Sequence, residues 1–372
     1  MLVNSANDVN GSVTKLFQLA HIVHGSAVIL NNARQTSQAL PLLDPFSVAD
    51  ISSRGMISQS MIDLIITHEA FKLFRTTDNI LSIAEIYFRT MHSCLPFISK
   101  EVFYGRVGGI WTQPKGDFAL LVICMHTLPQ TFINGITEAV KSPVYALAKS
   151  MLSLIESANI LTLEIVQSRL LVCLYEMGHA IQPAAFLSVS IAARGGVTLG
   201  IHKSCAQQTL SNHKNWQNYE EEKRVWWAIF ILHTYINLLA GSCHFVTEDP
   251  SVNDQLPVDD ELWQMNIVSD QPSLSLLTPT NIRVGPFARA VQVTHILRRV
   301  LTHVLKVTAD PIFNADEAQQ LDDTLKAFAA LLPEQLSQSS TRFCGALGIC
   351  TSQRWGIAAL YLGYLQDISS TA

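Results

Sequence analysis

Between 162 and 177, Leu163, Val166, Leu170, Cys173 or Leu174, and Met177 recur at spacings of three and four. That is the period of a helix with one buried stripe. The stretch from Gly178 to Pro183 breaks the pattern, and Pro183 suits the first turn of a following helix, where its missing N–H is not needed. A second helix is expected over 184–199, dense in small residues: Ala185, Ala192, Ala193, Gly195 and Gly196. Each interior glycine costs roughly 1 kcal/mol relative to alanine, so the sequence predicts a neighbouring helix in close approach. Gly200 follows as a C-terminal cap, and the pair forms an αα-hairpin.

The longest apolar stretch is 220–241, EEEKRVWWAIFILHTYINLLAG. Its opening acids suit the partial positive charge of a helix N-terminus. Val225, Trp226, Ile229, Phe230, Leu232, Tyr235, Ile236 and Leu239 make it apolar nearly all round. A helix of that kind lies among other helices or in lipid. A membrane span needs roughly 20 predominantly apolar residues, and the run from 225 to 240 is shorter and holds His233, Thr234 and Asn237. The sequence therefore predicts no membrane span and a central helix of a helical core.

Elsewhere the same period prevails. Residues 1–50, rich in Ser, Asn, Gln and Ala, read as a weakly ordered lead-in with one helical piece near Val28, Ile29 and Leu30. Its His21 and His24 lack thiol or acidic partners nearby and read as a surface pair. From 84 to 96 a helix is expected with Ile86, Tyr87 and Met91 on one side, stopped by Pro96. The run from 118 to 125 fits helix or strand by pattern alone, and its neighbours favour helix. An acidic, extended segment follows the central helix, and 265–281, polar and prolyl, reads as a flexible loop. Helix resumes over 287–307. Asn314 with Glu317 reads as a capping box for Leu321, Leu325, Phe328 and Leu331, and Trp355, Ala359, Leu362 and Leu365 form a last amphipathic helix. No hairpin or βαβ signal is present. The expected fold is all-α, one domain over 51–372 of about ten helices around the central helix 220–241.

Composition narrows the function. The 372 residues are 48% hydrophobic and 15% charged, with net charge −5 and pI about 6.2, so no global field draws the chain to phosphate backbones. The opening MLVNSANDVNGSVTKLFQ lacks the charged-then-apolar order of a signal peptide, and an intracellular chain is expected. Seven cysteines, at 94, 124, 173, 205, 243, 344 and 350, form no CxxC pair and read as structural thiols. No phosphate-cradling glycine loop, G-x-S-x-G elbow or H-E-x-x-H motif occurs. Asp259-Asp260 and Asp322-Asp323 lack the third carboxylate of a magnesium–diphosphate site and read as solvated acids. His202 and His233 have the most apolar surroundings and read as satisfied, buried histidines. No catalytic, cofactor-binding or metal residue is assigned, and no cofactor is expected.

Two of these segments together carry a resemblance. Gln167-Ser-Arg-Leu-Leu-Val-Cys-Leu-Tyr-Glu, Ala192-Ala-Arg194 and Leu199-Gly-Ile-His202, followed by Glu222-Lys-Arg-Val-Trp-Trp-Ala-Ile-Phe-Ile-Leu, resemble successive signatures of one family. It is the middle homology, or regulatory, region of the fungal zinc-cluster transcription factors. Tyr87-Phe88, His92, Pro96 and Phe103 resemble its opening stretch, and 252–257 matches a later segment loosely. The likeness covers about 80 to 300. His233 and Thr234 stand where the family usually carries an aspartate and an arginine, and Gly241-Ser242-Cys243 replaces its Gly-Arg-Pro. The family's six-cysteine zinc cluster and basic linker are not found in this sequence.

The resemblance makes Arg224, Trp226 and Trp227 scaffold residues. Physical reasoning agrees: adjacent tryptophans project about 100° apart on a helix and can brace two neighbours. Arg224 is expected to pair with Glu220 or Glu221, a contribution of about 0.3–0.5 kcal/mol at the surface unless the pair is buried. The implied function is that of a non-enzymatic transcriptional regulator in the nucleus, with a place in a metabolic gene cluster. It is expected to act through protein partners, a full-length zinc-cluster factor or a second copy, or through a small effector between helices, and to reach DNA only indirectly. The alternative is an all-α enzyme on an apolar or isoprenoid substrate.

Overall fold

The computed structural model describes residues 58–128, 142–205, 216–267, 273–306 and 308–330. The lead-in over 1–50, the pair His21 and His24, Cys344, Cys350 and the helix expected around Trp355 to Leu365 lie outside the described residues. Among the described residues the structure is helical without a strand, with one isolated antiparallel bridge, Gln255 to Ser275. The all-α expectation holds. The chain divides into two compact units. One runs up to Arg89 and over Glu101–Ser188; the other comprises Thr90–Lys100 and the chain from Val189 onward.

The first unit contains α1 (Gln59–Phe74), α2 (Thr77–Arg89), most of α4 (Lys100–Val107), α5 (Gly116–Thr127), α6 (Pro143–Ser157) and α7 (Leu163–Gly178). The run from 118 to 125 is helical, and α5 packs against α1, α2, α6 and α7. Phe118 to Met125 are all buried, which explains why that run shows no polar face. Asp63 receives the Gly116 N–H at 2.7 Å, and a Cβ on Gly116 would meet the Asp63 Cα at 3.1 Å. The contact thus both caps α5 and requires the glycine. Helix α7 is buried from Ile165 to Gly178, including Arg169, which pairs with Glu156.

The helix expected over 84–96 is corrected in two respects. Helix α2 begins earlier, at Thr77, and ends at Arg89; a single turn, α3 (Met91–Cys94), follows Thr90. Its buried side is Ile80, Ala84 and Tyr87, at spacings of four and three, rather than Ile86 and Met91. Tyr87 alone was read on the correct side.

Helix α8 (Gln182–Leu199) carries Pro183 in its first turn, as the pattern predicts. A Cβ on Gly196 would lie 3.2 Å from Ile229 Cδ1 and 3.3 Å from Ile201, so the close approach inferred for this helix is present at Gly196. Gly200, with φ of +78°, ends it, and a 3-10 turn, Ile201–Cys205, comes next.

The second unit is built on α9 (Trp216–Ala240), with α10 (Asp260–Gln264), α11 (Pro286–Leu305) and α12 (Pro311–Ala330). Helix α9 packs on the 3-10 turn and α11, and α11 packs on α12. Val225, Trp227, Ala228, Ile229, Phe230, Leu232 and Ile236 are buried on all sides of α9. Among the described residues no helix is long and apolar enough to cross a membrane. The polar residues inside the apolar run are satisfied locally: Thr234 donates to the Phe230 carbonyl at 2.9 Å and Asn237 to the His233 carbonyl at 2.9 Å. The start of α9 is corrected. Glu220 to Glu222 lie beyond its first turn, so their role is not at the helix N-terminus.

Val293, Ile296 and Val300 of α11 enclose Leu321, Leu325 and Phe328 of α12 in one cluster. The expected capping box is replaced. Asp310 caps α12, its carboxylate taking the N–H groups of Ile312 at 2.9 Å and Phe313 at 3.2 Å, while Asn314 lies inside the helix. An aspartate before a proline at the first helical position is the stronger start signal. Glu317 instead receives His303 Nδ1 at 2.9 Å, a tie between α11 and α12. Of the loop expected over 265–281, residues 265–267 and 273–281 are described, and both pieces are held by the backbone. Leu256 N–H donates to the Leu274 carbonyl at 2.8 Å, and Leu276 N–H to that of Asp254 at 2.9 Å.

The two tryptophans are not equivalent. Trp227 is fully buried and its indole donates to the Gln255 carbonyl at 3.0 Å, whereas Trp226 is half-buried against His202. Trp227→Ala should cost about 3–5 kcal/mol, and Trp226→Ala clearly less. Denaturant melts of the two variants check this, and equal losses would contradict the placement.

Candidate functional site: a buried arginine hub

The densest polar constellation of the second unit surrounds Arg224, which is fully buried on α9. A guanidinium carries five N–H donors in a rigid plane. Here Nε donates to Glu220 at 3.1 Å, one terminal nitrogen to Asp260 at 2.7 Å and to the Pro96 carbonyl at 3.3 Å, and the other to the Val258 carbonyl at 2.6 Å. Its plane lies 4.1 Å from the Trp263 ring centre and 5.5 Å from that of Phe287. Such cation–π contacts contribute about 2 kcal/mol when desolvated.

The acids around it are shared. Glu220 also receives the Val258 N–H at 2.8 Å, and its second oxygen lies 3.1 Å from the ammonium of buried Lys223. Asp260 receives the Phe287 N–H at 3.2 Å, at the first turn of α11. Glu221 receives the Ser99 N–H at 2.8 Å, and Gln217 donates to the Ser99 hydroxyl at 3.0 Å. Four pieces of chain distant in sequence therefore meet at one cation: the segment 96–99, α9, the segment 255–260 and the start of α11. Gly285 permits that meeting, since a Cβ there would approach Asp259 Cα to 3.1 Å.

Two further buried arginines act similarly from α11. Arg298 donates to the Thr247 hydroxyl at 2.7 Å and to its carbonyl, pairs with Asp249 at 2.7 Å and lies 3.9 Å over Phe245. Arg289 donates to Gln292 at 2.8 Å and to the Ile282 carbonyl at 2.9 Å, while Gln292 donates to the carbonyls of Leu276 and Thr278 at 3.1 and 2.8 Å. The connection between α9 and α11 holds little regular structure, and these side chains supply the partners its carbonyls would otherwise lack.

One reading is resolved here and one is corrected. Arg224 pairs with Glu220, but in the interior, so a surface increment understates it. Removing one partner of a buried pair costs roughly 3–5 kcal/mol. Asp259 and Asp260 are not solvated spectators: Asp260 binds Arg224, and Asp259 caps α10 by receiving the Glu261 N–H at 2.9 Å. By contrast Asp322 pairs with Lys326 near the surface, as solvated acids do. Cys124 and Cys173 are buried as expected of core thiols, and Cys94 is half-buried. Among the described residues no group of three or more His, Cys, Asp or Glu is placed to share a metal ion. The charges in the hub answer one another.

His92 and His233 of this unit are held neutral. Burial, reinforced by Arg224 and then Lys100, lowers His92 to about 3, and its ring lies 6.0 Å from that of Trp263. Burial and then Arg298 lower His233 to about 4. Its Nδ1 lies 3.3 Å from the Thr247 hydroxyl, and its Nε2 receives the Val246 N–H at 3.5 Å, so a second proton would meet a donor. A depressed folded pKa contributes stability that is present above the unfolded value, near 6.5, and lost as pH falls toward the folded one. From pH 7 to pH 5 the wild type should therefore lose roughly 1–2 kcal/mol more than His233→Asn, given about 1.4 kcal/mol per pH unit per proton. Denaturant melts at the two pH values check this, and parallel losses would contradict it.

The comparisons agree with the resemblance. The model of the family described as fungal specific transcription factor domain matches residues 84–330. Transcription factor BOA15 of Botryotinia fuckeliana is 36% identical over 140 residues, which cover 37% of this chain and 76% of that protein. An uncharacterized transcriptional regulatory protein of Schizosaccharomyces pombe is 22% identical over 233 residues, 60% of this chain and 29% of that protein. No solved structure matches. With most of its length matched, and the arginine hub inside the matched stretch, the chain belongs to the fungal specific transcription factor domain family.

Proposed function

We propose that this chain is a non-enzymatic regulatory module that acts on transcription in the nucleus through protein contacts. DNA is reached through a partner, a full-length zinc-cluster factor or a second copy of the chain, and a small effector between helices is a further input. Family membership supports the regulatory role and the nuclear site.

The observation that carries the DNA part of this reading is where the cations are. Specific DNA binding rests on neutralising several phosphates, with base contacts added by an inserted element. Arg169, Lys223, Arg224, Arg289 and Arg298 are withdrawn into the interior, and the chain as a whole carries a net charge of −5. The enzyme alternative loses support at the same residues, because Asp259 and Asp260, one of its two candidate acid pairs, are engaged in a cap and an ion pair.

A fluorescence-anisotropy titration of the purified chain against promoter fragments, at about physiological salt, tests the reading. The expected outcome is no sequence-dependent binding by the chain alone. Tight binding that weakens steeply with salt and discriminates between fragments would overturn it.

A further inference from the structure

Helix α8 is 18 residues long and carries a single Asp, Glu, Lys or Arg, the exposed Arg194. A surface helix ordinarily turns a charged face to water. Over 191–199 the exposed residues of this one are Ile191, Arg194, Val197, Thr198 and Leu199. Ile191 is 41% exposed, Val197 50% and Leu199 36%. At about 100° per residue, Ile191 and Val197 stand to either side of Arg194. Ala192, Ala193 and Gly196 are buried, so the helix is seated by an apolar side and shows aliphatic groups on the other as well. The Thr198 hydroxyl donates to the Arg194 carbonyl at 2.9 Å, within the helix itself. Charge also sets this stretch apart from the rest of its unit. Lys223, Arg224 and Arg298 are answered by Glu220, Asp260 and Asp249. Arg194 and the exposed Lys203 take part in no ion pair among the described residues, and the sequence holds no Asp or Glu from Met177 to Tyr219.

We propose that the 191–199 face of α8 docks an acidic, aliphatic segment of another protein. Its aliphatic side chains cover Ile191 and Val197, and its carboxylate pairs with Arg194. This rests on the reading that the chain acts through protein contacts, and it names the partner's chemistry. Charge selects the occupant. A guanidinium set among aliphatic groups is matched by a carboxylate in like surroundings, and arginines so placed carry a large share of interface energy. A second copy meeting the same face about a two-fold axis would bring Arg194 toward Arg194 with no acid between them, because such a contact repeats one patch on both sides. Nucleic acid calls for several cations set against phosphates, whereas this face offers Arg194 and, beyond Gly200, Lys203.

Selection of a displayed library of random peptides on the full chain tests the proposal. The peptides recovered should be rich in Asp or Glu beside Leu, Ile and Val. Synthesised with a fluorescent label, they should bind the double variant Ile191→Ser with Val197→Ser, and Arg194→Glu, about tenfold or more weakly than wild type. Replacing the peptide's acid by lysine should restore binding to Arg194→Glu and abolish it for wild type. The substituted side chains are exposed, so melting temperatures should stay at the wild-type value; if the serine variant melts early, Arg194→Glu and its rescue decide. Peptides without an acidic excess, or indifferent to these variants, would overturn the proposal. So would a chain that dimerises and is made monomeric by the double serine variant, which identifies a second copy as the occupant. The two failures are distinguishable: promoter binding by the chain alone sinks the indirect route to DNA, and indifferent peptides sink this docking face.

Discussion

A guanidinium taken out of water must find its hydrogen bonds and its counter-charge inside the protein, and Arg224 is where the second unit meets that demand. Its four acceptors come from the segment around Pro96, from α9, from Val258 and from Asp260, with aromatic rings of Trp263 and Phe287 against its plane. Elsewhere apolar burial decides which helices meet. Here the geometry of one planar cation decides how several loops are placed on a helix. A lysine could supply the charge but not the fork. Arg289 and Arg298 extend the same device along α11, bonding carbonyls of a connection that holds one isolated bridge and one short helix among its described residues.

Much of the helical frame was legible in the sequence because its signals are local. The helices on either side of Pro183, the glycine at the close approach, the cap at Gly200 and the apolar girth of α9 all follow from spacing. The starts of helices were read less well. Nothing in 220–241 announces that the helix begins at Trp216, and the acids that look like a first turn are acids for the interior. At α12 two start signals competed, and the pairing of Asp310 with Pro311 outranked that of Asn314 with Glu317. The hub itself was half legible. Glu220 is four residues from Arg224 and visible as a neighbour, whereas Asp260 and Trp263 are brought there by tertiary packing that no sequence period encodes.

The same residues connect fold and function. The family signature around Lys223 to Trp227 marks a stretch whose charges are turned inward, which makes it scaffold. His233 and Thr234, which depart from the family's usual aspartate and arginine, are absorbed by local bonds to Thr247 and Phe230. The departures therefore leave the helix intact.

The central claim is that Arg224 holds the loops of its unit in place, and amide hydrogen exchange in an Arg224→Lys variant measures it directly. The Val258 and Phe287 amides donate to Glu220 and Asp260, the two acids that Arg224 orients. Losing roughly 1.5–3 kcal/mol per charged hydrogen bond should speed their exchange by an order of magnitude or more, while amides of α7 keep wild-type rates. Unchanged exchange at Val258 and Phe287 would contradict the account.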